Sequence, residues 1–159
     1  MATLKVKIQE DIILNNQDYG SKRILEVGSI TSIVKRIVSI GTNEIGLLGF
    51  GAAYNTELSK SYLAGQFDED LVRYIRITNL DTTNHIALVL KNENNDEFGV
   101  KVDKGCSFLY CADLAGGVVD TMDSADAAGI TPNSFGDLVD ITCAADTAAC
   151  NVEVFVASA

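Results

Sequence analysis

The sequence predicts an all-β domain, an antiparallel β-sandwich or jelly-roll-like fold with one long Ala/Gly/Asp-rich loop. Three observations lead there. Apolar residues recur with period two, as in Leu4, Val6 and Ile8 against Lys5 and Lys7, which places one strand face in a core and the other in water. The apolar runs are rich in Val and Ile, residues that fit a pleated, half-buried surface. Clusters of Asn, Asp, Gly and Ser separate eight to ten short strands at a spacing of about twelve residues, which suits two packed sheets rather than alternating α/β units.

Taken in order, the first strand is followed by the runs DIILNN and KRILEV, separated by the turn formers of NNQDYGS. The run IVKRIVSI, from Ile33, reads as a β-branched strand stopped by Gly41-Thr42-Asn43, with a hairpin over that turn into EIGLLGFG. The three glycines of EIGLLGFG disfavour a helix and fit a strand that bends or comes close to another backbone.

In the middle of the chain, VRYIRITNL, with Val72, Tyr74, Ile75, Ile77 and Leu80, turns at DTTN into HIALVLKN. The two segments are expected to pair antiparallel. NENNDE then reverses the chain into EFGVKV, with Phe98, Val100 and Val102 inward, completing a three-stranded meander. A short strand, CSFLYC, precedes the long loop Ala112 to Asp137, which holds Pro132 and is expected at an interface. In the closing strands Val152, Val154 and Val156 face one way, and Glu153 and Phe155 the other.

The 159 residues are expected to form a single sandwich domain over 1–159. A net charge of −10 repels phosphate backbones and anionic headgroups, so neither nucleic acid nor a membrane is an expected partner. The longest nearly uncharged stretch, GLLGFGAAYNT, is far short of the ~20 apolar residues that span a bilayer. The amino terminus becomes charged too soon for an export signal.

Four cysteines fall as Cys106 with Cys111 and Cys143 with Cys150. Their spacing is not that of a zinc ribbon, and they read as buried small hydrophobes, with a Cys143–Cys150 cross-strand bridge as the alternative. Gly49-Phe50-Gly51 followed by Glu69-Asp70 faintly suggests a dinucleotide fingerprint, but the third glycine and the crossover helix are missing, leaving tight strand packing. His85 is the only histidine, with no nucleophile elbow or paired metal-ligand motif around it. The acidic clusters Asp68-Glu69-Asp70 and Asn92 through Glu97 lack the spacing of a calcium loop and read as solvated turns, a weak structural calcium being the alternative. No catalytic, cofactor-binding or metal residue is assigned, and the expectation is a non-enzymatic protein that works by protein–protein contact.

The stretch VRYIRITNLDTTNHIALVLKNENNDEFGVKVDKGCSFLY, with the ending ADTAACNVEVFVASA, resembles small virion structural proteins of tailed phages, particularly marine and cyanobacterial ones. The likeness covers about half the chain and carries no catalytic motif. It implies a β-sandwich present in many copies on the virion after assembly in the host cytoplasm. Its role there would be capsid decoration or cement, its partners the major capsid or other virion proteins, and its state a homo-oligomer such as a trimer. A neck or tail component and a carbohydrate- or receptor-binding module are the alternatives.

Overall fold

A computed structural model describes residues 1–51, 62–111 and 135–159. Thirteen strands run through them. Four build an amino-terminal hairpin: β1 (Ala2–Glu10), β2 (Ile13–Leu14), β3 (Gln17–Asp18) and β4 (Ser21–Ile30). The other nine are β5 (Ser32–Ile40), β6 (Ile45–Phe50), β7 (Gly65–Phe67), β8 (Val72–Asn79), β9 (Ile86–Asn92), β10 (Glu97–Val102), β11 (Ser107–Tyr110), β12 (Leu138–Ala145) and β13 (Cys150–Ser158).

These nine strands form two sheets, ordered β11-β8-β13-β5 and β10-β9-β12-β6-β7. Every pairing is antiparallel except β6 with β7, which is parallel. With β7 set aside as an added edge, each strand of the remaining eight crosses to the opposite sheet from its predecessor, save for the β9–β10 hairpin. That is the jelly-roll order, and the expected β-sandwich class is present.

Alternation places the core. On one sheet Ile75, Ile77, Val152, Val154 and Val156 point inward; on the other Leu48, Ile86, Leu88, Leu90 and Ile141 meet them. All are almost fully buried, and interdigitation of the two inner faces supplies most of the stabilisation through removal of apolar surface from water. The inward set Val152, Val154 and Val156 matches the sequence pattern.

Two expected pairings are corrected. β8 does not pair with β9: it lies between β11 and β13, whereas β9 lies between β10 and β12. The six residues between them form an arch across the sandwich, because the Asp81 carboxylate accepts the Thr83 and Asn84 N–H groups at 2.7 and 2.6 Å and Leu80 N–H donates to Asn151 O at 2.9 Å. Buried Asn79 locks the arch, donating to Asn84 O at 2.9 Å and accepting from Asp81 N–H at 3.0 Å. Likewise, β5 and β6 do not form a hairpin over Gly41-Thr42-Asn43 but sit in opposite sheets. Only the β9–β10 part of the expected meander exists, and Phe98, at the end of edge strand β10, is exposed. The expected long loop lies outside the described residues over 112–134.

The amino-terminal hairpin departs most from a compact sandwich. β1 pairs with β4, and β2 with β3, around a two-residue turn in which Asn15 and Asn16 both have positive φ, 51° and 61°. This is the left-handed backbone conformation that a two-residue turn needs to match the right-handed twist of its strands, and Asn tolerates it. A register shift between Ala2 and Leu4, with Ser29 at φ 59°, marks a bulge where the hairpin joins the body. Only its base is packed: Leu4, Val6 and Val27 lie against Ile30, Tyr74, Phe155 and Ala157.

Candidate interaction surface

The outer face of the four-stranded sheet carries the residues of opposite parity to the core. Register places Tyr74, Arg76 and Thr78 of β8 beside Ala157, Phe155 and Glu153 of β13, and these beside Ile33, Lys35 and Ile37 of β5. Tyr74 and Phe155 meet edge to face, with centroids 5.8 Å apart and planes at 76°. The Arg76 guanidinium lies 5.7 Å from the Phe155 centroid and ion-pairs with Glu153, to which Lys35 also reaches at 3.1 Å. Both ring faces and cations are therefore largely spent within the molecule. A cleft of about 380 Å³ remains where the hairpin leaves this face, lined by Leu4, Val6, Lys35, Tyr74 and Arg76 among others.

Beyond its base the hairpin exposes apolar side chains on both faces: Ile8, Ile12, Ile13, Leu14, Tyr19, Ile24 and Leu25, with Ile13 at 76%. Strand β5 is an edge strand of nine residues, paired only with β13 among the described residues. It exposes Ile33 at 55% and Ile37 at 61%. A long, apolar, unpaired edge is a template for pairing with another chain unless something covers it.

Charge is unevenly spread. Residues 1–40 hold six Lys and Arg against four Asp and Glu, and the remainder six against eighteen, so the negative charge resides on the later part of the chain. Within the hairpin the tip, residues 9–20, has Glu10, Asp11 and Asp18 and no basic residue, whereas β5 has Lys35 and Arg36 and no acid.

The residues singled out in the sequence fall elsewhere. Gly49 of the Gly49-Phe50-Gly51 run is a place of close packing: a Cβ there would stand 2.4 Å from Tyr62 Cε2. The Tyr62 ring covers that point and its hydroxyl donates to the buried Asp140 carboxylate at 3.3 Å. Burial, the Asp140 charge and this bond push the Tyr62 hydroxyl up to about 12. His85 Nδ1 lies 3.5 Å from Asp146 Oδ2 on a partly exposed loop, and Asp146 N–H donates to His85 O at 3.1 Å.

The two acidic clusters come together. Burial, and then the carboxylates of Asp137, Asp70, Asp68 and Glu93, hold the Glu69 carboxyl above its ordinary value. The polar atoms around them are largely engaged in turns: Asp68 accepts Asp70 N–H at 3.1 Å, and Asn92 Oδ1 accepts the Asn94 and Asp96 N–H groups at 3.0 and 2.8 Å. Among the described residues no group of three or more His, Cys, Asp or Glu is arranged to hold a metal ion, and no helix is long and apolar enough to cross a membrane.

All four cysteines are free. Cys143 and Cys150 are buried in the core as expected, but on β12 and β13, which belong to opposite sheets, so the cross-strand bridge is replaced by two thiols within one apolar interior. Burial, with a smaller contribution from Cys150, pushes the Cys143 thiol up to about 12. Cys106 is exposed and Cys111 half-buried, against the expectation of burial, because CSFLYC straddles the ends of a four-residue edge strand.

Sequence reasoning found β1, β2 and β4 of the hairpin, read Gln17–Asp18 of β3 as part of a turn, and missed the projection. The signal was Ile12-Ile13-Leu14, three consecutive apolar residues without alternation, which no half-buried strand accommodates on one face. The chain matches no protein-family model and no curated protein.

Proposed function

We propose that this protein is a non-enzymatic structural component of a tailed-phage particle, a decoration or cement protein that stabilises the shell through many protein–protein contacts. The observation that carries the reading is the projecting hairpin, whose apolar residues beyond its base are exposed and find no cover among the described residues. Exposing so much apolar surface at the end of a stiff two-stranded arm favours aggregation unless a protein neighbour receives it. The jelly roll behind it has an interior filled by aliphatic side chains and serves as a rigid base. An acidic body keeps a crowded assembly soluble. The resemblance of residues 72–110 and 145–159 to phage virion proteins supplies the class of assembly. A clip that binds only the assembled lattice stabilises it by mass action.

A carbohydrate-binding role has less support: the outer-face rings of Tyr74 and Phe155 pack on one another and beneath Arg76 instead of presenting an open stacking platform. Cosedimentation of the purified protein with particles lacking it, followed by electron cryomicroscopy, tests the proposal. Density repeated at shell lattice sites is the expected result. A ring at a single vertex would move the protein to the neck or tail, and absence of binding to any particle would overturn the virion reading.

A further inference from the structure

The hairpin tip and the edge of β5 have complementary properties and lie on different parts of the same chain. The tip presents Ile12, Ile13, Leu14 and Tyr19 to solvent beside the acidic Glu10, Asp11 and Asp18. The β5 edge presents Ile33 and Ile37 on the outer face with Lys35, which shares Glu153 with Arg76, and Arg36 on the opposite face, so that three cations stand against one carboxylate. Within one molecule they do not satisfy each other. The hairpin is anchored at Leu4, Val6 and Val27 on the outer sheet face, and the stretch from Ile8 to Leu14 extends about 20 Å further at the rise of a β-strand. Among the described residues the main-chain edge of β5 away from β13 pairs with no strand, which adds donors and acceptors to the apolar and basic side chains.

We infer that the occupant of the β5 edge is the hairpin tip of a second copy of this chain. Each copy gives one tip and receives one, so the contact closes either reciprocally between two molecules or head to tail around a ring. The aliphatic tip displaces water from Ile33 and Ile37, and removal of that apolar surface from water favours association. Charge fixes its direction: acidic tip against basic edge is attractive, whereas tip against tip and edge against edge place like charges together. The presence of both an acidic apolar tip and a basic apolar edge in one sequence is what favours a second copy over a foreign partner. The inference does not depend on the particle reading, because both surfaces belong to the isolated protein.

Sedimentation velocity and light scattering on the wild type, on the tip variant Ile13→Glu/Leu14→Glu and on the edge variant Ile37→Glu provide the test. All three substituted residues are solvent-exposed in the single chain, so thermal melts of the variants should match the wild type measured below its dissociation concentration. The wild type is expected at a whole multiple of 17.0 kDa, and each variant at a single mass up to about 100 µM, a loss of at least about 100-fold in affinity. Mixing the two variants at about 100 µM is expected to restore one tip–edge contact, seen as a 1:1 heterodimer weaker than the wild-type assembly, because the intact tip of one meets the intact edge of the other. A monomeric wild type at the same concentration would overturn the inference. So would association that survives both variants, or a mixture of variants that stays monomeric. A self-associating wild type that binds no particle would sink the particle reading and leave this one standing.

Discussion

Gly49→Ala tests the closest approach that an added Cβ would make at any glycine among the described residues. The added methyl would sit 2.4 Å from Tyr62 Cε2, 2.6 Å from Cδ2 and 2.8 Å from Cζ, whereas carbon atoms are comfortable at about 3.5–4.0 Å. The ring must therefore withdraw by about 1 Å or more. Its hydroxyl already reaches Asp140 at a long 3.3 Å, so withdrawal breaks that bond. Overpacking costs about 1–3 kcal/mol, and the lost hydrogen bond adds about 0.5–1.5 kcal/mol. The expected total of about 1.5–4.5 kcal/mol corresponds to a fall in Tm of roughly 3–18 °C for a chain of this size.

Urea unfolding of the wild type, Gly49→Ala, Tyr62→Ala and the double variant measures it as a cycle. With the ring removed, the methyl meets open space and Ala is at least as good as Gly in a strand. The coupling should thus recover nearly the whole cost. Equal destabilisation by Gly49→Ala in both backgrounds, within about 0.5 kcal/mol, would refute the account and place the effect in the backbone instead.

Three further outcomes follow from buried and clustered titratable groups. The Tyr62 hydroxyl is raised in the folded state to about 12 from an ordinary 10.0, so the stability it contributes is complete below pH 10 and lost as pH rises from there towards 12; Tyr62→Phe should flatten that alkaline loss in urea titrations. Glu69 is also raised, from an ordinary 4.5, so its proton favours the folded state at low pH and that advantage vanishes as pH rises. Glu69→Gln should therefore match the wild type in acid and exceed it at pH 7 by at most about 0.5 kcal/mol, a Tm gain of about 1–2 °C, and a variant less stable than the wild type at pH 7 would contradict the carboxylate cluster. Thiol labelling of the native protein with an aromatic disulfide should modify exposed Cys106 first and reach Cys143 only on unfolding, because only the thiolate reacts and burial suppresses it at Cys143; rapid native labelling of Cys143 would contradict its place in the core.

Much of the candidate surface was legible in the sequence only as parts. The alternation of Leu4, Val6 and Ile8, the turn at Asn15-Asn16 and the run from Ile33 to Ile40 were readable as strands and reversals. Their exposure was not, since an apolar residue has the same letter whether it enters a core or awaits a neighbour. Ile8 continues the pattern of Leu4 and Val6 yet stands beyond the body they pack against.

The sequence by itself determined the class of the fold and the inward face of most strands, because a period of two and β-branched composition are local properties fixed by backbone geometry. Tertiary structure alone decided which strands became neighbours. DTTN and GTN read as hairpin turns, but hydrogen bonds from Asp81 and Asn79 hold the first as an arch between sheets, and β5 and β6 find their partners in β13 and β12. Pairing is a non-local choice: it depends on which edges and faces lie free when the two layers close on one another, and no turn sequence between two strands contains that information.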